Sequence, residues 1–365
     1  MTQAEQERYF YASQWRLMGR KFRRHKLAMA ASVILVIMYA MAIFCEFFAT
    51  QDIYKRNTKF IHCPPAKIHF FDAEGRFHLQ PFVYDLTPSF DKTTFDRVFK
   101  ENTAKMNLLY LFTRGDTYKL WGLWESDLHL FGVKEGVFFL FGSDELGRDV
   151  YSRIVYGSRV SLSIGLIGVF VSFVLGCLFG GISGYFGGAA DMIIQRIIDF
   201  LISIPTLPLW MALGAALPIQ WNPIRVYFFI TIILSIVGWC GLARVVRGKL
   251  ISVRGEDFIL AAKIAGMKEM SIITRHLLPS FMSYLIVNLS LSIPGMILGE
   301  TALSFLGLGL RSPVVSWGVM LMNTQNAQSI IYSPWMLIPG LYVIVTVLCF
   351  NFLGDGLRDA ADPYK

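Results

Sequence analysis

Long apolar runs dominate the pattern of hydrophobic and polar positions along this chain. A helix needs about 20 apolar residues to cross the hydrocarbon layer of a bilayer. Pro205 and Pro208 interrupt the third run and Pro294 lies within the fifth, which predicts bends there. Six runs meet the length requirement: Leu27–Ala49, Val160–Ile182, Ile194–Leu217, Ile224–Val246, Phe281–Leu306 and Pro334–Leu353.

Composition supports a membrane protein. Hydrophobic residues make up 54% of the 365 positions, and the mean hydropathy is +0.49, whereas soluble domains are only about 45–50% apolar. The first run is too long for a cleavable signal peptide, and no small-residue cleavage pattern follows it. The sequence therefore predicts an all-α polytopic membrane protein with six transmembrane helices, the first spanning residues 27–49.

The placement of the net charge of +8 orients these helices. Short loops rich in Lys and Arg remain in the cytoplasm. Here such residues cluster before the first run and between the fourth and fifth runs, which predicts cytoplasmic N- and C-termini. Because topology explains the charge, no nucleic acid partner is indicated. The two clusters comprise Arg8, Arg16, Arg20, Lys21, Arg23, Arg24, Lys26, Arg244, Arg247, Lys249, Arg254, Lys263, Lys268 and Arg275.

Residues 1–26 form the basic N-terminal segment. Tyr11, Trp15, Met18 and Phe22 follow one another at helical spacing and would share one face of a helix. Basic side chains cover much of the rest. We therefore expect a cytoplasmic helix that lies on the membrane lipid of the inner leaflet.

Residues 50–140 form a long polar and aromatic insert between the first and second runs. Prolines and glycines divide it, which predicts a small module of short strands and turns on the extracytoplasmic side. Two roles remain open, contact with a solute-binding protein and a structural cap. His62, Cys63, His69 and His78 match no compact ligand spacing, so no metal site is predicted.

No phosphate-binding loop is apparent in the chain. Gly248-Lys249 resembles the end of one, but Ala243 stands where the upstream glycine is needed and Leu250 replaces the magnesium-binding Ser or Thr. We therefore expect this chain to bind no cofactor and to catalyse no reaction.

The basic loop 247–280 between the fourth and fifth runs carries the most specific pattern. It contains EDFILAAKIAGMKEMSIITRHLLPS, from Glu256 to Ser280. Two short helices are predicted, over about 256–265 and 268–276, with Gly266 between them in the left-handed conformation that glycine adopts without a side-chain penalty. Ala261 and Ala262 are small enough for another surface to approach, and Pro279 suits the first turn of the fifth span.

This spacing of Ala-Ala, Gly and Leu-Pro resembles the coupling loop of ATP-binding-cassette (ABC) importer permeases. The acidic residue that opens the general motif is Leu260 here, a position that varies in the peptide-permease branch. The resemblance implies docking of the loop into a groove on an ATPase subunit. The residues expected to take part are Glu256, Asp257, Ala261, Ala262, Gly266, Met267, Leu278 and Pro279.

Further stretches narrow the resemblance to the C-type permease subunit of oligopeptide and dipeptide ABC importers. They are GSDELGRDVYSRIVYGSRVSLSIG at 142–165, GYFGG at 184–188, LSFLGLG at 303–309 and FLGDGLRDAADP at 352–363. The first contains an outer-face motif whose Asp144, Arg148 and Asp149 are expected to form a charge network beside Gly142 and Gly147.

Membership of that family implies a five-helix permease core at 141–355 and a short cytoplasmic tail at 356–365. It also implies a bacterial inner-membrane location and a peptide substrate. The implied partners are a second homologous permease, a solute-binding protein, and two ATPase subunits that hold ATP and Mg²⁺.

Asp199 and Glu300 are carboxylates within or near apolar runs, where a charge costs about 2.5–3.5 kcal/mol at a helix centre. Each should therefore lie near an end, face a wet cavity or have a partner, in a pathway or a structural role. A proton-coupled secondary transporter that uses both as carriers is the alternative function. Small residues spaced four apart predict close helix packing, namely Gly176, Gly180, Gly184 and Gly188.

Overall fold

The structure is a computed structural model that describes residues 14–90, 97–218 and 220–361. Its α-helices are α1 (Gln14–Arg24), α2 (Lys26–Ile43), α3 (Cys45–Phe48), α4 (Val150–Phe186), α5 (Gly188–Ser203), α6 (Thr206–Ala215), α7 (Pro223–Val253), α8 (Asp257–Ile264), α9 (Glu269–Ile272), α10 (Leu278–Ser280), α11 (Met282–Phe305), α12 (Trp317–Met322), α13 (Ala327–Tyr332) and α14 (Ile338–Ala361). Its strands are β1 (His69–Phe71), β2 (Phe77–Phe90), β3 (Arg97–Leu120) and β4 (Trp124–Val133).

Six spans are present when the bent pair α5–α6 is counted as one. Helices α2, α4, α7 and α11, and α14 with the 3₁₀ turn that precedes it, are each long and apolar enough to cross a membrane. The chain bends by 85° between α5 and α6. The bend falls at Ile204 and Pro205, where the sequence predicts one, while Pro294 lies inside α11.

Helices α4, α7 and α14 extend beyond their predicted runs, and α7 continues to Val253. Helix α4 begins at Val150, well before the apolar run, because Asp149 caps its first turn. Helix α14 continues to Ala361, so the predicted tail at 356–365 is helical over its described part. Gly356 lies in this extension, where an added Cβ would approach the Ala28 Cβ to 2.2 Å, so α14 packs closely on α2.

Helix α1 packs partly on the protein. Met18 is buried, and its sulfur accepts a hydrogen bond from the Ser283 hydroxyl at 3.5 Å. The Phe22 ring lies beside Gly356. The apolar face of α1 therefore contacts α11 and α14, and its contact with lipid stays a prediction; Tyr11 lies outside the described residues.

The insert is an antiparallel meander, in which β1, β2, β3 and β4 pair in sequence order. The expectation of short strands is wrong for β2 and β3, which have 14 and 24 residues. The part of β3 from Arg97 to Leu108 pairs with β2, and the part from Leu109 to Leu120 pairs with β4. Phe112, in the second part, has φ 56°. The chain is thus mostly helical, with a sheet between the first two spans.

Glycines allow α4 and α7 to pack closely together. A Cβ added to Gly180 would lie 2.5 Å from the Ala243 carbonyl oxygen, and one added to Gly184 would lie 2.8 Å from that of Arg247. Gly176 faces Leu242 in the same way. Gly188 does not extend this row, because it follows the end of α4 with φ 54° and has open space around it.

Candidate functional site in the loop between the fourth and fifth spans

Helix α8 ends at Gly266 as the sequence predicts. Gly266 has φ +73°, and its N–H donates to the Lys263 carbonyl at 3.0 Å, while the Met267 N–H donates to the Ala262 carbonyl at 3.2 Å. Together these two bonds form a Schellman motif, which satisfies carbonyls that a helix end otherwise leaves unpaired. An added Cβ at Gly266 would meet nothing within 4 Å, so the backbone conformation alone requires glycine there.

One face of the loop packs against the ends of the membrane-spanning helices. Ile259 and Ala262 of α8, with Ile272 of α9, are buried in a cluster that includes Val246 of α7 and Leu285 of α11. The expectation that both alanines of the motif are open to a partner is therefore half wrong. Ala262 packs inward and only Ala261 is exposed.

The opposite face of the loop is apolar and exposed. Ile264 is 88% exposed, and Phe258, Leu260 and Met270 are each about half exposed. Helix α8 thus carries apolar side chains on its exposed face as well as on its buried face. An exposed apolar patch commonly marks a contact with a protein or membrane. Glu256 and Asp257 lie at the exposed N-terminus of α8.

The second predicted helix of the loop is not a continuous α-helix. Helix α9 has four residues and leads into a π-helical turn at Ile273–Leu277. Leu278 and Pro279 then lie in the single turn α10, just before α11 rather than in its first turn. Proline has no N–H to continue the helical bonding pattern, which fits a break at this point.

Asp199 pairs with arginine at the edge of the core. Its carboxylate accepts a hydrogen bond from Arg244 of α7 at 2.5 Å and lies 3.9 Å from Arg196. Nearby, Arg247 donates two bonds of 2.6 Å to Asp191. The Asp199–Arg244 and Asp191–Arg247 pairs connect α5 to α7. Arginine is therefore the partner that the sequence led us to expect for Asp199, whose carboxylate is half exposed.

Glu300 is fully buried at the centre of the bundle. Its Oε1 accepts bonds from Ser304 at 2.9 Å and Ser316 at 2.8 Å, and its Oε2 accepts one from Ser161 at 3.1 Å. Each of these hydroxyls also accepts a hydrogen bond from a backbone N–H. Ser304 accepts that of Leu310, Ser161 accepts that of Trp317, and Ser316 accepts that of Val319.

Each serine can therefore give its only proton to the carboxylate, and Glu300 joins α4, α11 and α12. This hydrogen-bond role is one that the sequence left open for Glu300. Its burial among hydroxyls gives no support to the alternative of a proton carrier.

The outer-face motif forms a buried cluster of charged side chains where α4 begins. Asp144 accepts the Arg148 Nε at 2.7 Å and lies 3.6 Å from the Arg153 Nε. Asp149 is not part of this charge network, which corrects the expectation. Its Oδ2 accepts the Ser152 N–H at 2.8 Å as the N-cap of α4, and burial raises its pKa to about 6.

The two glycines of the motif allow the insert to pack closely against this charged cluster. Gly147, at φ +70°, lies so close to the insert that an added Cβ would be 2.0 Å from the Asn57 carbonyl oxygen. Gly142, at φ +77°, has the Trp335 indole and the Cys63 carbonyl against it. The motif therefore connects the insert, α4 and the start of the sixth span, and its groups are buried rather than presented to solvent.

A cavity of about 230 Å³ lies among α4, α6, α7 and α11. Asn288 and Ser292, one turn apart on α11, line it, and so does Trp210, whose buried indole N–H has no partner among the residues that the structure describes. These residues are absent from the sites predicted from the sequence, although an Asn and a Ser spaced four apart in an apolar span are a recognisable signal. Among the described residues that line the cavity, neither Asp199 nor Glu300 appears.

Gly248 and Lys249 lie inside α7, so their backbone N–H groups belong to a helix rather than to an open cradle for phosphate. The six spans and the glycine-packed core define a multi-pass membrane protein. The chain belongs to the family of binding-protein-dependent transport system inner membrane components, whose model matches residues 173–364. Residues 13–65 also match the N-terminal transmembrane domain of oligopeptide transport permease C.

Relatives agree along almost the whole chain. The chain is 34% identical over 332 residues to the oligopeptide transport system permease protein OppC of Haemophilus influenzae, covering 87% of this chain and 98% of that protein. It is 31% identical over 357 residues to the dipeptide transport system permease protein DppC of Lactococcus lactis subsp. cremoris, covering 97% and 90%. A solved structure of the inward-facing MetNI methionine ABC transporter matches at 17% identity and a TM-score of 0.43, covering 57% of this chain and 95% of that chain.

Proposed function

We propose that this chain forms half of the translocation pathway of an ABC importer for peptides or peptide-like solutes. The relatives named as oligopeptide and dipeptide permeases support the substrate class. A second homologous permease subunit would complete the pathway, and an extracytoplasmic solute-binding protein would deliver the solute. The cavity beside Trp210, Asn288 and Ser292 offers hydrogen-bonding groups in an apolar setting, which suits the polar backbone of a peptide.

The loop between α7 and α11 is the proposed contact with the ATPase subunits, which would bind ATP and Mg²⁺. The observation that supports this proposal most directly is that α8 has one exposed apolar face and one face buried against the spans. Ile264 is 88% exposed, while Ile259 is fully buried against the ends of the spans. A movement of a docked partner would therefore reach α4, α7 and α11 through packed side chains, because packed cores transmit displacement.

The proposed orientation puts both termini and this loop in the cytoplasm and the insert outside the cell. The basic residues of α1 and of the ends of α7 and α8 support this orientation, since short cytoplasmic segments retain Lys and Arg.

A substitution on the exposed face of α8 tests the docking proposal. The complete importer with Ile264→Glu is reconstituted in vesicles, and ATP-dependent peptide uptake and co-purification of the ATPase subunits are measured. Ile264 is exposed, so the variant should insert and melt like the wild type but lose uptake and ATPase subunits. Leu79→Glu, at an 89% exposed leucine of the insert, is the matched control that should retain the ATPase subunits. Unchanged uptake by Ile264→Glu would contradict the proposal.

Thiol labelling tests the orientation. The five native cysteines are free and buried, so a membrane-impermeant maleimide should report mainly on an introduced cysteine. In right-side-out vesicles Leu79→Cys should react and Ile264→Cys should not, with the reverse result in inverted vesicles. Labelling of Ile264→Cys from the outside would overturn both the orientation and the docking proposal.

A further inference from the structure

The turn between β3 and β4 is an apolar and aromatic tip. It reads Leu120-Trp121-Gly122-Leu123-Trp124. Leu123 is 71% exposed and Trp124 is 60% exposed. Trp121 and Gly122 both have positive φ, at 52° and 74°, within the short three-residue turn that joins the paired residues Leu120 and Trp124. A folded domain in water rarely presents two tryptophans and a leucine at the end of a hairpin.

The hairpin runs down the end of the first span. The Phe112 ring, in the part of β3 that pairs with β4, lies 6.3 Å from that of Phe47 in α3. At the end of β3, the Trp121 ring lies 5.5 Å from that of Phe44, which precedes α3. The Trp121 indole also donates a 2.8 Å hydrogen bond to the Ile43 carbonyl, the last residue of α2. As β3 advances toward its tip, its contacts thus move back along the first span, toward the bilayer.

Polar groups mark the edge of the bilayer at the same level. The Arg159 guanidinium bonds the Ala42 and Ile43 carbonyls and forms an ion pair with Glu46 at 2.6 Å. Just below, α2 presents exposed aliphatic side chains such as Val36 and Ile37, as a lipid-facing helix does. The tip is therefore continuous with a surface that must contact lipid.

The polarity of the hairpin changes in the same direction. Next to the tip, Lys119 and Glu125 form an exposed ion pair at 3.1 Å, and Arg114 and Asp127 face each other at 3.8 Å further up. Tryptophan concentrates where lipid headgroups meet the hydrocarbon, with charged groups in the water above.

We propose that the Leu120–Trp124 tip inserts into the headgroup region of the bilayer on the insert's side and anchors the insert beside the first span. The charges above the tip cancel in pairs, so the anchor recognises the interface of the bilayer rather than a particular anionic headgroup. A long insert connected at its base and held at its tip has a fixed tilt over the spans. The surface that it offers to any partner on that side is then set by the membrane.

Lipid quenching tests this proposal on the full chain. Leu123→Cys is labelled with an environment-sensitive fluorophore and placed in nanodiscs of phosphatidylcholine, part of which carries a doxyl quencher near the headgroup end of the acyl chain. Glu135→Cys is the matched control at the exposed base of the same hairpin, about 30 Å from the tip at roughly 3.3 Å per residue. Labelled wild type gives the background from the buried native cysteines.

The label at position 123 should be quenched several-fold more strongly than the label at 135, and its emission should be blue-shifted. Adding Trp121→Ser and Trp124→Ser to Leu123→Cys should reduce the quenching while the melting temperature shows that the fold is kept. Equal quenching at 123 and 135 would overturn the proposal. So would an emission shift at 123 that appears only when the second permease subunit or the binding protein is added, because the tip would then be a protein contact.

Discussion

Replacing Glu300 with glutamine should unbalance the serine cluster at the centre of the bundle. The substitution keeps the shape of the side chain but exchanges one acceptor oxygen for an NH₂ group. Oε1 accepts the hydroxyls of Ser304 and Ser316, and Oε2 accepts that of Ser161. The amide should therefore keep its oxygen toward Ser304 and Ser316 and turn its nitrogen toward Ser161.

The magnitude follows from the group left without a partner. The Ser161 oxygen already accepts the Trp317 N–H at 3.2 Å, and its hydroxyl proton would face an amide donor. A buried donor that loses its acceptor costs about 1–3 kcal/mol. We therefore expect Glu300→Gln to lower the free energy of unfolding by that amount, measured by circular dichroism in mixed micelles of increasing SDS fraction.

A double-mutant cycle separates this cause from a general disturbance. In the Ser161→Ala background the stranded donor is absent, so Glu300→Gln should cost much less there. Ser304→Ala is the matched control, because removing Ser304 leaves the conflict with Ser161 in place and the cost of Glu300→Gln unchanged. The reasoning is refuted if Glu300→Gln costs the same with Ser161→Ala as it does alone.

Three further outcomes can be measured in the same micelles. Gly266→Ala should cost about 1–2 kcal/mol because of its left-handed backbone, whereas Gly255→Ala, in open space of the same loop, should not. Gly180→Ala should cost about 1–3 kcal/mol by forcing α4 from α7, while Gly241→Ala, with nothing within 4 Å, should not lower stability. Asp149→Ala should lose about 1 kcal/mol of capping that Asp149→Asn retains. Since burial raises the Asp149 pKa to about 6, its contribution to stability should rise as pH falls from 7 to 5, and a flat difference from Asp149→Asn would contradict this.

The six spans were predictable because bilayer thickness imposes a length on apolar segments that the sequence displays directly. The bend near Pro205 and the left-handed end of α8 at Gly266 were predictable for a similar reason, since proline and glycine act on the backbone at their own positions. The loop that is proposed to dock on an ATPase was recognisable from its spacing, and its family is borne out by the match at residues 173–364.

The strands of the insert were harder to predict. The chain from Arg97 to Leu120 carries polar and apolar residues on both faces of β3, without the strict alternation that marks a half-buried strand. Pairing with β2 and then with β4 stabilises it, and those contacts join residues distant in sequence. The length of β3 is therefore a property of the sheet rather than of the segment.

Local composition and spacing within short segments were enough to predict where the chain crosses the membrane, the bend at Pro205 and the family to which the chain belongs. The roles of single polar residues became clear from the folded chain. Ala262 faces the core while Ala261 faces outward, Asp149 caps a helix while Asp144 pairs with arginine, and Glu300 binds three serines. Such roles depend on which distant groups arrive at each side chain, and packing of the whole bundle sets that arrangement.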